Sequence, residues 1–182
     1  MQNWEGKKVV MIGAARQGVA LSRYLAEKGA KVFLNDRRPE EALADVKQEL
    51  ADLDISWVTG SHPFEILDDA ALVCLSGGIP LDLPLVQEAI RRKIPLSNDS
   101  QIFLDVVPCP VIGITGSSGK TTTTALVGEI ARQHFAIRRP NNQVWVGGNI
   151  GNPLIQDIEK MKEDDLAIIE LSSFQLEIMT KS

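Results

Sequence analysis

Lys120 and Thr121 follow two glycines and two serines in the stretch ITGSSGKTTTTAL, residues 114–126. Four consecutive threonines are a poor way to open a helix, because a β-branched side chain loses rotamer freedom against the preceding turn. Each costs up to ~0.7 kcal/mol relative to alanine. The composition makes sense as a cradle for phosphate. Gly116 and Gly119 let the backbone bend so that successive N–H groups converge, and the helix N-terminus adds the positive end of its dipole. Lys120 supplies a mobile charge for β- and γ-phosphates, and the Thr121 hydroxyl can ligate Mg²⁺. The loop is a shortened form of the usual pattern: Ile114 stands where its first glycine belongs, and Gly113 lies one residue too early.

Glu170 closes the apolar run LAIIE. A carboxylate at the end of a buried strand has to be paired, hydrogen-bonded or bound to metal. In a parallel sheet ligands gather at the carboxyl ends of strands, so Glu170 and the Lys120 loop are expected on one edge. GGNIGNP, residues 147–153, follows another strand candidate. Its glycines suit close backbone approach to a ligand with Asn149 offering its amide, and they suit equally a turn capped by Asn149.

A second anion site is written earlier in the chain. GAARQG, Gly13 to Gly18, follows the first strand and opens the first helix. It keeps the first and third glycines of the dinucleotide fingerprint but has Ala15 at the middle one, and Asp36 closes the next strand where an acidic residue often meets a ribose. This pattern marks an anion site at a helix mouth without specifying NAD.

These loops need a scaffold, and the apolar pattern supplies one. KKVVMIG, KVFLND, DISWVTG, ALVCLSGG and IPLSND read as strands, separated by helical patterns in QGVALSRYLAEKG, PEEALADVKQEL (with Pro39 in its first turn) and LPLVQEAIRRK. Strands alternating with helices imply an α/β fold with a parallel sheet covered on both faces. SQIFLDVVPCP is a short helix followed by proline punctuation, and VIGITG, QVWV and DDLAIIELSSF supply further strands. ALVGEIARQ reads as an amphipathic helix, and FQLEIMTKS as a helix still running at the last residue. The expected organisation is a Rossmann-like domain over residues 1–107 and the start of a P-loop ATPase domain over residues 108–182, in a chain that looks truncated.

Composition narrows the function classes. The 182 residues are 44% hydrophobic and 24% charged with a net charge of −5, which is globular and lacks the basic footprint of a nucleic-acid binder. The basic stretch Ile137 to Asn142 reads as a solvated loop. Cys74 and Cys109 lie in apolar runs without metal-ligand spacing and are expected as buried free thiols. His62 and His134 have no cysteine partners nearby, so no zinc site is expected. With no signal pattern at the N-terminus and no membrane-length apolar run, the expected location is the cytoplasm, with no membrane partner.

TGSSGKTTT, GGNIGNP and ELSSFQLE, in that order, resemble the Mur ligases of peptidoglycan synthesis, and the likeness covers almost the whole chain. The resemblance implies an ATP- and Mg²⁺-dependent amide ligase that phosphorylates the L-alanyl carboxylate of UDP-N-acetylmuramoyl-L-alanine, after which the amine of D-glutamate displaces phosphate. It assigns Gly116, Ser117, Ser118, Gly119, Lys120, Thr121 and Thr122 to the ATP phosphates. Thr121 and Glu170 would meet the metal, and Lys120, Asn149 and Glu170 would serve the chemistry. Asn149, Ser172 and Gln175 would line the substrate and phosphate path. In the first domain Gly13, Ala15, Arg16, Gln17 and Gly18 would meet the UDP pyrophosphate, Asp36 and Arg37 the uracil, and Ser76 and Gly77 the diphosphate or sugar.

The stretch HFAIRRPNNQ is longer and more basic than the family's connection at that point. Later parts of family members bring a histidine, a modified lysine and much of the ATP and amino-acid sites, so this chain alone is expected not to complete the ligation. Two other readings use part of the pattern: a nicotinamide-dependent oxidoreductase domain, from the first loop alone, and a non-catalytic nucleotide-binding module.

Overall fold

KVVMI and LVCL carry no polar face, so strands built from them need cover on both sides. A computed structural model describes residues 3–149 and 151–179. The chain divides into two compact units, Met1–Asp99 and Ser100–Ser182.

The first unit runs β1 (Lys8–Ile12), α1 (Arg16–Glu27), β2 (Lys31–Asp36), α2 (Ala44–Glu49), β3 (Ile55–Thr59), β4 (Leu72–Leu75), α3 (Pro84–Arg91) and β5 (Leu96–Ser97). Its five strands are all parallel, in the order β3-β2-β1-β4-β5. Val9, Val10, Met11 and Ile12 are all fully buried, and since alternate side chains point to opposite faces, both faces of β1 are covered. Leu21, Leu25, Leu34, Val73, Leu85 and Val86 complete the surrounding core. The chain passes from β1 to β2 on one side and later from β4 to β5 on the other. The carboxyl ends of β1 and β4 therefore form the switch point where such sheets open a crevice.

The second unit runs α4 (Asp99–Val106), β6 (Val111–Ile114), α5 (Lys120–Arg138), β7 (Val144–Gly148), β8 (Leu166–Glu170) and α6 (Ser173–Ile178), with α4 beginning at the division. Three parallel strands lie in the order β6-β8-β7. Asp165 secures the entry to β8 by accepting from the Gln143 and Lys162 backbone N–H groups and the Trp145 indole, at 2.8–3.0 Å.

Four local readings differ from the structure. PEEALADVKQEL breaks into a 3-10 turn, Glu40–Leu43, and the separate α2, with Pro39 preceding the turn rather than sitting within it. The break at Leu43 lets Leu43 and Leu50 both reach the core. α5 does not bury the apolar side of ALVGEIARQ: Thr124 and Gly128 are its buried residues, while Leu126, Ile130 and Ile137 are 59%, 68% and 79% exposed. At Gly128 a Cβ would stand 2.8 Å from Val146, so a small residue is what brings this helix down on the sheet. The stretch Ile137 to Asn142 is not all loop, because Ile137 and Arg138 finish α5. α6 closes at Ile178, with Met179 already extended, and the last three residues of FQLEIMTKS lie outside the described residues.

Candidate nucleotide sites

In the second unit the ends of three strands meet at one carboxylate. Register pairs Glu170 with Ile114 on one side and with Gly148 on the other. Glu170 is buried, and its Oε2 accepts from the Thr121 hydroxyl at 3.0 Å while Oε1 accepts from the Asn149 amide at 3.2 Å. The Asn149 backbone N–H also donates to the Glu170 carbonyl at 2.9 Å, which fixes the turn after β7 against β8. Gly148 makes that approach feasible: its φ is +103° and a Cβ would stand 2.6 Å from the Glu170 carbonyl oxygen. Asn149 thus presents its amide to Glu170 rather than capping a turn.

The phosphate-type loop lies directly before α5. Gly119 is its N-cap residue in the left-handed region, φ +72°, where a side chain would be strained. No side chain caps α5, and no acidic residue lies in its first turn. The Lys120 ammonium donates to the Gly116 carbonyl at 2.8 Å and closes the loop upon itself. Ser117, Ser118, Thr121 and Thr122 are exposed along it. A hydroxyl and a carboxylate 3.0 Å apart suit Mg²⁺, which prefers oxygen ligands and usually takes one or two from protein and the rest from phosphate and water. Among the described residues no group of three His, Cys, Asp or Glu could hold a metal ion.

Ser172 and Gln175 meet at the start of α6. Ser172 caps α6, accepting from the Gln175 backbone N–H at 3.2 Å, and the Ser172 N–H donates to the Gln175 side chain at 2.8 Å. The Gln175 amide also donates to the Ser100 hydroxyl at 2.7 Å, so this buried side chain is committed to the helix end and to α4.

In the first unit, Gly13, Ala15, Asp36, Arg37, Ser76 and Gly77 line one cleft of about 400 Å³ at the carboxyl edge of the sheet. The other three predicted residues, Arg16, Gln17 and Gly18, are not among its lining residues. Gln17 accepts from the Gly77 N–H at 3.0 Å and ties the β1 and β4 turns together. Gly18 lets α1 approach the Gly13 carbonyl, and Arg16 opens α1 on the exposed side. Ala15 caps α1 without a side-chain hydrogen bond, and no acid lies in the first turn, an arrangement favourable to an anion. The Ser76 hydroxyl is buried in the cleft wall with no partner among the described residues, a polar atom that a ligand would satisfy.

Asp36 enters the cleft as half of an ion pair. Its two oxygens accept four bonds of 2.8–3.0 Å: from the Ala14 N–H, the Arg38 N–H, and Nε and Nη2 of Arg38. Burial alone would raise its pKa; the Arg38 guanidinium and the two backbone N–H groups overcome that and hold it at about 2. Sequence reasoning missed Arg38 and the other cleft residues His62, Gly78, Ile79, Pro80 and Leu83. Only the position of HPF after a strand end, like that of GGIP, could have signalled them. Cys74 and Cys109 are buried free thiols, and burial pushes both pKa values up. Among the described residues no helix is long and apolar enough to cross a membrane.

A Rossmann-like parallel sheet with a cleft at its switch point, followed by a second parallel sheet whose edge carries a glycine-rich loop and a hydroxyl–carboxylate pair, defines an α/β protein of two units. The family described as Mur ligase MurD-like, N-terminal domain, matches residues 7–98, and the Mur ligase middle domain matches residues 114–181. The chain belongs to the Mur ligase family. It is 42% identical over 174 residues to UDP-N-acetylmuramoylalanine--D-glutamate ligase of Geobacter sp. (strain M21), covering 95% of this chain and 37% of that protein. The ligase of the same name from Clostridioides difficile (strain 630) is 39% identical over 175 residues, covering 95% of this chain and 37% of the relative. The chain therefore spans little more than a third of the length of these relatives. Among solved structures it resembles a pseudomurein peptide ligase type C from Methanothermus fervidus, with a TM-score of 0.50, 26% identity, and 93% of this chain and 33% of that one covered. It shares its fold with the Neisseria UDP-N-acetylmuramate:L-alanyl-gamma-D-glutamyl-meso-diaminopimelate ligase, with a TM-score of 0.55, 17% identity, and 93% and 55% covered.

Proposed function

We propose that this chain carries the nucleotide-substrate cleft and the ATP-phosphate loop of a cytoplasmic ligase that joins D-glutamate to UDP-N-acetylmuramoyl-L-alanine. In that reaction the L-alanyl carboxylate takes the γ-phosphoryl group of ATP, the amine of D-glutamate attacks the acyl phosphate, and phosphate leaves. The observation that carries the reading is the convergence of Thr121, Asn149 and Glu170 beside a lysine-bearing phosphate loop, in a chain whose relatives bear that ligase name.

Each residue has a defined task. The Lys120 ammonium exchanges the Gly116 carbonyl for the β- and γ-phosphate oxygens, a charge-assisted bond replacing a neutral acceptor. The backbone N–H groups of the loop and of the first turn of α5 meet the remaining phosphate oxygens. Thr121 and Glu170 would hold Mg²⁺, which would supply neutralisation of charge on the transferred phosphoryl group. Asn149, anchored through its backbone to the Glu170 carbonyl, keeps its amide at the same edge and orients the carboxylate. Gln175 acts one step removed, by fixing the end of α6.

In the first unit the diphosphate of the UDP substrate lies at the mouth of α1, with Ser76 and Gly77 on the β4 side and Asp36 and Arg37 on the β2 side. The saturated Asp36 carboxylate disfavours the NAD-type role, which needs an acidic residue with lone pairs open to ribose hydroxyls.

Phosphorus NMR with the β,γ-imido analogue of ATP tests the second-unit assignment, since line broadening registers even millimolar binding. Binding that requires Mg²⁺ and weakens about tenfold in Lys120→Ala is expected, the loss of one charge-assisted bond. Binding indifferent to both Mg²⁺ and Lys120 would overturn it.

A further inference from the structure

The cleft of the first unit contains a histidine whose tautomer is fixed by its neighbours. Asn35 is fully buried at the end of β2, and its side-chain Nδ2 donates to the Val58 and Ser61 carbonyls, both at 2.8 Å. Carbonyls only accept, so the amide nitrogen must face them and Oδ1 must face the other way. That oxygen lies 2.5 Å from Nδ1 of His62. An amide oxygen cannot donate, so Nδ1 carries the hydrogen and the neutral ring keeps its lone pair on Nε2. His62 lines the cleft on the same side as Asp36, Arg37 and Arg38, and no partner for Nε2 is present among the described residues.

The acceptor that would ordinarily serve a nucleoside at this place is already used. All four lone-pair positions of the Asp36 carboxylate are filled by Ala14 and Arg38. A ligand donor arriving at the β2–β3 end of the cleft finds in His62 Nε2 an acceptor that displaces nothing.

We propose that His62 is a specificity-determining residue of this cleft, accepting through Nε2 the imide N–H of a uracil base. The inference rests on the UDP-substrate reading of the same cleft and names the group that selects the base. Uracil offers a donor at N3, whereas cytosine offers a lone pair there, which would face the lone pair of His62. Asn35 is then a positioning residue, setting which ring nitrogen accepts.

The test is calorimetric titration of wild type and His62→Leu with UDP, N3-methyl-UDP and CDP. Wild type should bind UDP about tenfold more tightly than either analogue, as one hydrogen bond gained and one unpaired acceptor avoided imply. In His62→Leu the three should bind within about twofold of one another, a difference under ~0.5 kcal/mol. The wild-type comparison needs no variant to fold. Equal binding of UDP and N3-methyl-UDP to wild type would overturn the role of His62 while leaving the cleft a UDP site. A gap that persists in His62→Leu would assign it to the bulk of the methyl group and overturn it too. Failure of wild type to bind UDP at all would overturn the cleft assignment and this inference together.

Discussion

Gly18→Ala sets two opposite effects of one methyl group against each other. Gly18 is the third residue of α1, where alanine would ordinarily gain about 1 kcal/mol of helix propensity. A Cβ there would stand only 1.9 Å from the Gly13 carbonyl oxygen and 3.1 Å from its carbon, both backbone atoms with no rotamer to give way. The start of α1 must therefore move about 1 Å from the β1 turn to reach even a tight contact. Overpacking of this kind costs roughly 1–3 kcal/mol. With rigid backbone as the clashing partner the cost lies in the upper part of that range, about 2–3 kcal/mol, so the steric term wins by about 1–2 kcal/mol, a fall in melting temperature of roughly 4–8 °C per kcal/mol for a unit of this size. Because the first-turn N–H groups of α1 move with the helix, affinity for UDP should fall at least about tenfold, beyond what the stability change explains. Thermal unfolding followed by circular dichroism reads the first effect, and calorimetry at a temperature where the variant is folded reads the second. Gly113→Ala is the control, since its Cβ would make one ordinary contact, 3.4 Å from Leu171 Cδ1. Gly18→Ala with wild-type stability and wild-type UDP affinity would refute the close helix–strand approach and the anion site built on it.

Other perturbations follow from the same geometry. Glu170→Gln keeps a side-chain oxygen for Thr121 but removes the charge and turns an amide NH2 toward the Asn149 amide, so Mg²⁺-dependent binding of the imido ATP analogue should drop at least about tenfold while stability falls by only about 1–3 kcal/mol. Gln175→Ala removes half of a capping box and the bond to Ser100, and should cost about 1–2 kcal/mol in urea unfolding with the ATP analogue bound as before. Asp36 gives a pH signature. Its folded pKa of about 2 lies below the ordinary 3.8, so its stabilising contribution is complete above pH 4 and is lost as pH falls toward 2. The full shift would be worth about 2 kcal/mol, reduced to about 1 because Arg38 is 43% exposed and screened by water. Urea midpoints at pH 5 and pH 2.5 should show that extra loss in wild type and not in Asp36→Asn.

The strands were legible because a buried parallel strand is an uninterrupted apolar run, and KVVMI, LVCL and LAIIE are hardly anything else. The turn between β6 and α5 was legible because Gly116 and Gly119, at fixed spacing before a helix, take the positive φ that glycine permits. What escaped was set by tertiary proximity. Nothing local says that Arg38 rather than Arg37 folds back on Asp36, since that choice depends on the Ala14 carbonyl from another strand end. His62 acquires its meaning from Asn35, which sits a strand away in the sheet. Along α5, Leu126 and Ile130 share a face at i, i+4, and so do Thr124 and Gly128. Periodicity favours the apolar pair, whereas close approach to Val146 requires the small one. The bonds of Gln175 were only half legible, because its partners Ser172 and Ser100 are three and seventy-five positions away and only one of them is local.

Calorimetric titration of this chain with UDP-N-acetylmuramoyl-L-alanine, with NADH as the competitor, decides whether the first unit is a UDP-substrate site. Binding on the order of micromolar, competed by UDP and untouched by NADH, is the predicted result. Tight NADH binding with no affinity for the UDP compound would make the first unit a nicotinamide site instead.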